Sequence, residues 1–286
     1  MKIGLIGQGW IGKNYADNFE LRGYDVVRYA KEEPYTANKD AIATCDIVFI
    51  AVPTPTTTKG FDDSIIRAVV PLVGKGNIAV IKSTILPGTT ESIQKENPDI
   101  IVLHSPEFLA EATVVYDVAN PTRNIIGMPI DDETHRMAAE QVIATLPKSP
   151  YESICTSRES ELIKYGANAF LYTKVVFMNM LYDLAEKEGC SWEAVRAGIA
   201  ADPRIGASHT NPIHQSGRGA GGHCFIKDFA ALREEYERMA EDKIGANLLR
   251  SFEDKNIELL IRSNKNFDLL EGVYGDIGEL KKRLGI

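Results

Sequence analysis

One short segment near the start of the chain constrains the fold more than any other. The apolar run Lys2–Ile6 leads directly into Gly7–Gly12, a GxGxxG pattern, and a helix-like stretch follows. In this setting Gly7 permits a tight turn, Gly9 lets backbone amides approach a pyrophosphate, and Gly12 permits close packing of a helix on a strand. A helix that begins here also directs partial positive charge at the phosphates. The segment therefore predicts a dinucleotide site, or a turn of the same shape in a fold that has lost its ligand.

Short apolar runs alternate with helix-like stretches through the first part of the chain. Runs of five or six residues, rich in β-branched side chains and separated by helices, are typical of buried parallel strands. We therefore predict an α/β fold for residues 1–150, a Rossmann-like doubly wound parallel sheet with helices on both faces. The expected strands are Lys2–Ile6, Asp25–Tyr29, Ile47–Ala51, Ile78–Ser83, Ile100–His104 and Asn124–Gly127.

The acidic residue expected to bind the ribose of the dinucleotide is missing from its usual place. Such a residue normally ends the second strand, about 20 residues after the glycine loop. Here the strand Asp25–Tyr29 is followed by Ala30 and Lys31. Either Glu32 takes this role from a shifted position, or Arg28 and Lys31 favour the 2′-phosphate of NADP. The sequence leaves the choice between NAD and NADP open.

The second part of the chain has a helical pattern. One stretch without proline runs from about residue 158 to 189, and at 1.5 Å per residue it would reach about 45 Å. A loop rich in glycine is expected over 202–222, and helix again over 225–262. We predict an all-helical domain over 151–262 with one long central helix, followed by a short C-terminal tail over 263–286.

Composition argues against several kinds of partner. A formal charge of −8 and a pI near 5.3, with no basic block, argue against nucleic acid and anionic membranes. No apolar run approaches the ~18 residues that span a bilayer, and the N-terminus does not resemble a signal peptide. The four cysteines lie far apart without metal-ligand spacing, which argues against a zinc site and against disulfides. We expect a cytoplasmic protein that binds no metal.

Cys224 differs from the other cysteines in its surroundings. An isolated cysteine is usually a small buried apolar residue, but Cys224 follows four glycines in the segment 217–222 and opens a helical stretch. A helix N-terminus and nearby cations stabilise a thiolate. Lys227 and Asp228, three and four residues on, lie on the same helical face. The pattern predicts a reactive thiol, and the other cysteines are expected to be packing residues.

Polar side chains also recur at helical spacing on the long helix, at Glu161, Lys164, Asn168 and Tyr172. Such a stripe is usually a solvated face. The flanking residues are largely apolar and leave little surface to expose, so Lys164 and Asn168 are candidates for lining a pocket.

Taken together, these segments resemble the UDP-glucose/GDP-mannose dehydrogenases, a family of nucleotide-sugar 6-dehydrogenases. The resemblance covers roughly residues 1–260, and several long motifs in one order are more specific than any single motif. The matching segments are, in chain order, Gly7–Gly12, Val52–Pro55, Ser83–Thr90, Ser105–Glu111, Lys164–Asn168 and Gly221–Asp228.

Enzymes of this family carry out two successive NAD-dependent oxidations, from a sugar C6 alcohol to the uronic acid, through a cysteine thioester. The resemblance implies that Cys224 attacks at the aldehyde level, and that oxidation of the thiohemiacetal leaves a thioester for hydrolysis. Lys164 and Asn168 would stabilise the oxyanion. Thr84 would position a water, with Asp228 beside it.

The resemblance assigns further residues to binding. Glu111, or a water chain that it orders, would be the general base, and Glu107 would contact substrate or water. Lys227 and the loop 217–222 would wrap the nucleotide sugar. The implied cofactor-binding residues are Gly7, Gly9, Trp10, Ile11, Gly12, Pro53, Thr84 and Glu111. The implied substrate-binding residues are Glu107, Phe108, Leu109, Lys164, Asn168, Gly221 and Lys227.

The resemblance also bears on assembly. It implies a homodimer built on the long helix. Family members usually continue into a third domain that completes the nucleotide pocket, whereas 263–286 is too short for even one βαβ unit of ~30 residues. Either the substrate is held differently, or a separate chain supplies the missing domain, or catalysis is lost or altered.

Two other functions are compatible with the residues. A two-electron dehydrogenase of the 3-hydroxyacid or 6-phosphogluconate type shares the architecture and a helix-borne lysine and asparagine, but needs no cysteine. A catalytically inactive dinucleotide- or sugar-nucleotide-binding protein would bind the cofactor without producing NADH.

Overall fold

The computed structural model describes residues 1–215 and 217–286, so residue 216, within the loop expected over 202–222, lies outside the described part. The chain divides into two compact units. The first unit comprises Met1–Pro55 and Asp62–Lys164, and the second comprises Thr56–Phe61 and Tyr165–Ile286. The division therefore falls after Lys164, not after residue 150 as expected.

The described strands and helices follow in chain order. The strands are β1 (Lys2–Ile6), β2 (Asp25–Tyr29), β3 (Ile47–Ile50), β4 (Thr56–Thr57), β5 (Gly60–Phe61), β6 (Ile78–Ile81), β7 (Ile101–His104), β8 (Asn124–Met128), β9 (Glu152–Thr156), β10 (Ile213–His214) and β11 (Gly217–Arg218). The helices are α1 (Trp10–Leu21), α2 (Ser64–Val69), α3 (Thr89–Glu96), α4 (Val114–Ala119), α5 (Glu133–Thr145), α6 (Ser157–Lys187), α7 (Trp192–Ala200), α8 (His223–Met239), α9 (Lys243–Arg262), α10 (Phe267–Tyr274) and α11 (Ile277–Leu284).

A seven-stranded sheet forms the centre of the first unit, in the order β2-β1-β3-β6-β7-β8-β9. This confirms the predicted α/β class, and each of the six expected strands is present. One pair of neighbouring strands departs from the parallel arrangement. The chain leaves β7 at the carboxyl edge of the sheet and enters β8 from that same edge, so β8 pairs antiparallel with β7, and β9 follows β8 in parallel. The seventh strand, β9, was not predicted.

The central strands of this sheet are apolar because they are buried on both faces. On one face, Tyr15 and Phe19 of α1 pack with Phe49 of β3, and the Phe19 and Phe49 rings lie 5.1 Å apart. Every residue of β3, β6 and β8 is buried. A strand buried on both faces reads as a continuous apolar run, which is the pattern that the sequence shows.

The second unit is mostly helical, as expected, with two short antiparallel ribbons, β4–β5 and β10–β11. The segment 263–286 is not a tail. Its helices α10 and α11 bury Leu270, Ile277 and Leu280 in one apolar cluster with Ile226 of α8 and Ile257 of α9. Within the two described ranges, no helix is both long enough and apolar enough to cross a membrane.

Glu161 of α6 caps a different helix. Gly88 precedes α3 and offers no side chain of its own to the exposed amides. The carboxylate of Glu161, fully buried, accepts hydrogen bonds from the backbone N–H of Gly88 (2.6 Å) and of Thr90 (2.9 Å), and from the Thr90 hydroxyl. An acceptor at this position satisfies N–H groups that have no partner within the helix. Burial outweighs these bonds and raises the pKa of Glu161 to about 7.

This raised pKa predicts a pH dependence of stability. The folded chain binds a proton at Glu161 that the unfolded chain releases near its ordinary pKa of 4.5, so this group stabilises the fold below about pH 4.5 and loses that contribution as pH rises toward 7. The loss is at most about 1.4 kcal/mol per pH unit. Chemical unfolding between pH 5 and 8 should show that Glu161→Gln removes this slope. The exposed control Glu140→Gln should retain it, and identical slopes in both variants would refute the assignment.

Candidate functional site

The glycine loop after β1 has the shape that a dinucleotide requires. Gly7 adopts φ 90°, and a Cβ atom there would lie 2.3 Å from the Ala51 carbonyl oxygen. A Cβ atom at Gly12 would lie 1.9 Å from the Gly7 carbonyl oxygen. At Gly9, by contrast, a Cβ atom would meet nothing within 4 Å, so the backbone there is open to a ligand. Gly7 and Gly12 thus have the steric roles predicted for the turn and for the helix packing, and Gly9 leaves room for the predicted approach of a ligand.

The loop also stands at the right place in the sheet. β1 pairs with β2 on one side and with β3 on the other, and the remaining strands follow β3 in the order β6-β7-β8-β9. The order in which strands are added to the sheet therefore reverses between β1 and β3. Ligands of such sheets bind outside the carboxyl ends of the strands at this point. Helix α1 begins at Trp10, which is 41% exposed, directly after Gly9. Its first-turn amides and dipole can therefore bind a pyrophosphate.

The loops that follow β3 and β6 are joined side by side at the same edge. Ser83 Oγ donates to the Val52 carbonyl (2.6 Å) and accepts from the Val52 N–H (3.1 Å). Thr54 Oγ1 donates to the carbonyl of Thr84 (2.8 Å). These bonds hold the backbone around two predicted residues, Pro53 and Thr84. Pro53 is exposed between Val52 and Thr54, and Thr84 is half-buried.

Arg28 is not available for a 2′-phosphate. Its guanidinium, 14% exposed, binds the carboxylates of Asp17 (2.7 Å) and Glu20 (2.6 Å) on α1. An arginine held by two carboxylates already has its charge compensated. Lys31 and Glu32 are both exposed beyond the end of β2. The sequence left two alternatives open for the cofactor. The NADP alternative, in which Arg28 binds the 2′-phosphate, loses that residue.

A cluster of buried charges follows β7. Glu107, 7% exposed, pairs with Lys82 (Nζ to Oε2, 3.1 Å), and Lys82 also lies over the Tyr15 ring at 4.5 Å. Lys164 of α6, 8% exposed, donates to the carbonyl oxygen of Glu107 and lies 5.5 Å from the centre of the Phe108 ring. The structure therefore brings three predicted residues together, and Lys164 does not lie on a solvated face.

The same segment lines a small cleft in the first unit. Glu107, Phe108 and Leu109 form one wall, and the Arg123 guanidinium stacks 3.6 Å over the Phe108 ring. Glu111 lies apart from these contacts, exposed at the start of a short 3-10 turn. The cleft has the mixed character of a ligand site, with apolar and aromatic surface beside a few charged groups.

The second unit holds the predicted cysteine at the first turn of α8. Gly222, at φ 84° and ψ 162°, precedes the helix, which begins at His223. Cys224 is thus its second residue and is exposed. The amides at a helix N-terminus stabilise negative charge on a thiolate. The predicted location of Cys224 at a helix start is confirmed.

Asp228 lies one turn further along α8 and is 1% exposed. Its carboxylate accepts hydrogen bonds from Asn168 Nδ2 of α6 (2.7 Å) and from Lys227 Nζ. The Tyr172 and Phe229 rings stack 3.9 Å apart beside this contact. Asn168 and Asp228 are therefore brought together, while Lys227, expected to reach the substrate, forms an ion pair with its neighbour. The second amide hydrogen of Asn168 can still bind a ligand.

The other cysteines lack this setting. Burial raises the pKa of Cys45 and of Cys155 to about 11, so both are thiols at neutral pH. Cys190 is exposed, so its assignment as a packing residue was wrong.

Some residues of these clusters were missed by the sequence reasoning. Lys82 had a usable signal, because it is a charged residue directly after the apolar run Ile78–Ile81. Arg123 had none, since its partner Phe108 is distant in sequence.

Comparison with known proteins defines the family. Two models of one family match: its NAD binding domain over residues 28–146 and its central domain over residues 158–258. This chain belongs to the UDP-glucose/GDP-mannose dehydrogenase family. The first match assigns the glycine-loop unit to NAD, in agreement with the compensated charge of Arg28.

Individual proteins of this family are similar to the chain. It is 33% identical to a UDP-glucose 6-dehydrogenase of Rhizobium meliloti, over 81% of this chain and 62% of the relative. It is 36% identical to the UDP-glucose 6-dehydrogenase of Gallus gallus, over 69% of this chain and 43% of the relative. The chain thus spans roughly half the length of the curated relatives that it matches.

Solved structures share the fold. A UDP-glucose dehydrogenase from the archaeon Pyrobaculum islandicum matches with a TM-score of 0.77 at 25% identity, over 99% of this chain and 71% of that one. A 3-hydroxyisobutyrate dehydrogenase from Mycobacterium tuberculosis matches over 99% of its own chain with a TM-score of 0.71, but at 15% identity it shows the fold alone.

The compensated charge of Arg28 predicts a preference for NAD. NAD should bind at least about tenfold more tightly than NADP, as measured by isothermal titration calorimetry. The double substitution Asp17→Asn with Glu20→Gln releases Arg28 and should narrow this ratio by strengthening NADP binding. Asp131→Asn, which removes an exposed ion pair with Arg136, should leave the ratio unchanged. Equal affinities for both cofactors in the unaltered chain would contradict this interpretation.

Proposed function

We propose that this chain oxidises the C6 alcohol of a nucleotide sugar of the UDP-glucose type to the carboxylate in two NAD-dependent steps, through a thioester on Cys224. The observation that supports the proposal most directly is the arrangement of α8. Its first turn presents an exposed cysteine, and one turn later it holds a buried carboxylate bound by an asparagine of α6. A two-electron dehydrogenase has no use for this thiol.

The proposed reaction consists of two oxidations, and the thiol enters between them. The glycine loop would hold NAD, which would supply the hydride acceptor for both oxidations. After the first, the Cys224 thiolate adds to the carbonyl carbon of the aldehyde and forms a C–S bond, and the oxygen takes up a proton as a thiohemiacetal. The second oxidation removes the hydride from this carbon and releases the hydroxyl proton to solvent, which leaves a thioester. Water then cleaves the C–S bond, which releases the acid and restores the thiol.

The remaining residues act on charge and on water in this proposal. The ammonium of Lys164 and the amide of Asn168 stabilise the negative oxygen of the tetrahedral species. Lys164 is suited to this because the apolar ring of Phe108 and its own burial keep water from its ammonium. Thr84 positions the hydrolytic water, and the exposed Glu111 accepts its proton.

Substrate contacts are proposed from the cleft beside β7 and from the segment before α8. Glu107, Phe108 and Leu109 offer an aromatic wall and backbone groups to the sugar. Gly221 and Lys227 flank Cys224 on its own unit. The chain spans 62% of the length of its Rhizobium meliloti relative. A separate chain that completes the nucleotide site stays a prediction of the resemblance.

Replacing the thiol tests the reaction. Cys224→Ala should lower formation of the acid from UDP-glucose and NAD by about 10³-fold or more, because no thioester can form. Mass spectrometry of the products measures this loss, and calorimetry should show that NAD binding is retained. Cys190→Ala is the matched control, since it removes the other exposed cysteine. Acid formation at the unaltered rate by the Cys224→Ala chain would eliminate the thioester.

We also propose that α6 forms the core of a homodimer. Phe170, Phe177 and Leu184 recur every seven residues and are each more than half exposed, with Met180 beside them at 48%. An apolar seam with this repeat is the pattern by which long helices pair. Large exposed apolar patches of this kind mark interfaces in water-soluble proteins.

A charge placed in this seam tests the dimer. Phe177→Lys should convert the dimer to monomer in sedimentation velocity, because an ammonium would be buried between two apolar surfaces. Glu186→Lys introduces the same side chain at an exposed position outside the seam and should leave the dimer intact. A monomeric unaltered chain, or dissociation of both variants alike, would exclude this interface.

A further inference from the structure

The glycines that precede Cys224 are held by side chains from a distant part of the chain. Lys265, between α9 and α10, is 4% exposed. Its ammonium donates to three backbone carbonyls, those of His214 (3.1 Å), Gly217 (3.2 Å) and Gly219 (3.1 Å). A buried ammonium bonded to three carbonyls fixes the path of that backbone, because each bond lost would leave a polar group without water.

Two neighbours of Lys265 continue the same contact. Ser263 Oγ accepts from the Arg218 N–H (3.0 Å), and Asn266 Oδ1 accepts from the Gly222 N–H (3.0 Å). From within α9, Asn256 exchanges two hydrogen bonds with the backbone of Ala220, at 2.7 and 3.0 Å. We refer to Ser263–Asn266 as the clamp. It reaches both ends of the segment 217–222, and its last bond ends on the residue that precedes α8.

Two of the four glycines in this segment are explained by the clamp. A Cβ atom at Gly217 would lie 2.5 Å from Ser263 Cβ, and one at Gly221 would lie 2.3 Å from Asn266 Oδ1 and 2.8 Å from Lys265 Cε. At Gly222 a Cβ atom would meet nothing within 4 Å, and this residue needs glycine for its φ of 84° instead. Gly217 and Gly221 therefore admit the clamp, which is a different use from the predicted approach to a nucleotide.

We infer that the clamp is a positioning device for Cys224: Lys265 and Asn266 set the backbone of 217–222 so that α8 begins at His223 with the thiol in its first turn. The inference rests on the proposed role of Cys224 as nucleophile. Asn266 is the decisive residue, since the N–H that it binds belongs to Gly222, two residues before Cys224. Loss of this bond frees the start of α8, and the thiolate loses the oriented amides that stabilise it.

The chain offers a matched pair of substitutions. Asn264 and Asn266 both adopt left-handed backbone, with φ 50° and 56°, which glycine accepts without strain. Only the Asn266 side chain reaches the segment before α8, whereas Asn264 is exposed. Asn266→Gly therefore removes the acceptor alone, and Asn264→Gly is its control. Lys265→Met removes the ammonium while keeping an apolar stem of similar length.

The test uses the reactivity of the thiol and needs no sugar substrate. In a Cys190→Ser background, iodoacetamide labelling of the peptide that contains Cys224 is followed by mass spectrometry between pH 6 and 9. Asn266→Gly should slow labelling at pH 7 about tenfold and move its pH profile to higher pH. Asn264→Gly should match the background. Where turnover is measured, Asn266→Gly should lower kcat and leave the KM for NAD unchanged.

Each outcome decides the inference. Unchanged labelling in Asn266→Gly overturns it, as does equal slowing in Asn264→Gly. If Lys265→Met does not fold, Asn266→Gly still decides, because it leaves the three carbonyl bonds of Lys265 in place. A chain that labels as expected but forms no acid from any nucleotide sugar would refute the proposed function while leaving the clamp intact.

Discussion

The buried carboxylate of Asp228 is the constraint on which the second unit depends. An ionised group that is 1% exposed is costly to remove from water, by several kcal/mol, unless it is paired and hydrogen-bonded. Lys227 and Asn168 meet this requirement. Because Asn168 belongs to α6 and Asp228 to α8, the same bonds hold one helix against the other. The stacked rings of Tyr172 and Phe229 add apolar contact beside them. Cys224 lies one helical turn before Asp228. The bond between Asn168 and Asp228 therefore holds the part of α8 that carries Cys224.

Buried charges are used in the same way in the first unit. Lys82 pairs with Glu107, and Glu161 binds the amides at the start of α3. Each of these buried groups has its partner on another segment of the chain, which offsets its removal from water. At the glycine loop the opposite holds, since the amides at the start of α1 remain open to a ligand. The unit thus separates groups that stabilise the fold from groups left free to bind an anion.

Much of this architecture was predictable from residue patterns. The apolar runs gave each of six strands to within one or two residues, because a strand buried on both faces has nowhere to place a polar side chain. The long proline-free pattern gave α6 to within two residues at either end. The glycine turn was predictable because it lies between an apolar run and a helix-like stretch, although the clash that Gly7 avoids is with Ala51, a residue distant in sequence. The start of α8 was two residues earlier than expected, and the setting of Cys224 was right.

The features that the sequence did not predict depend on contacts between residues that are distant along the chain. The antiparallel entry of β8 follows from the edge at which the chain leaves β7, which no local pattern encodes. The polar stripe on α6 reads as a solvated face until its partners Thr90, Glu107 and Asp228 are known. The segment 263–286 reads as a tail because its helices are short, yet Lys265 is buried against three carbonyls. An ammonium in a polar stretch of sequence gives no sign that it will be enclosed.

We propose a four-electron oxidation through Cys224. Counting the electrons transferred per sugar tests this reaction most directly. A limiting, weighed amount of UDP-glucose is converted to completion with excess NAD, and the NADH formed is measured by absorbance against the sugar consumed. The account predicts two NADH per sugar nucleotide. One NADH per sugar, with the aldehyde as product, would contradict it and would place the chain with the two-electron dehydrogenases whose fold it shares.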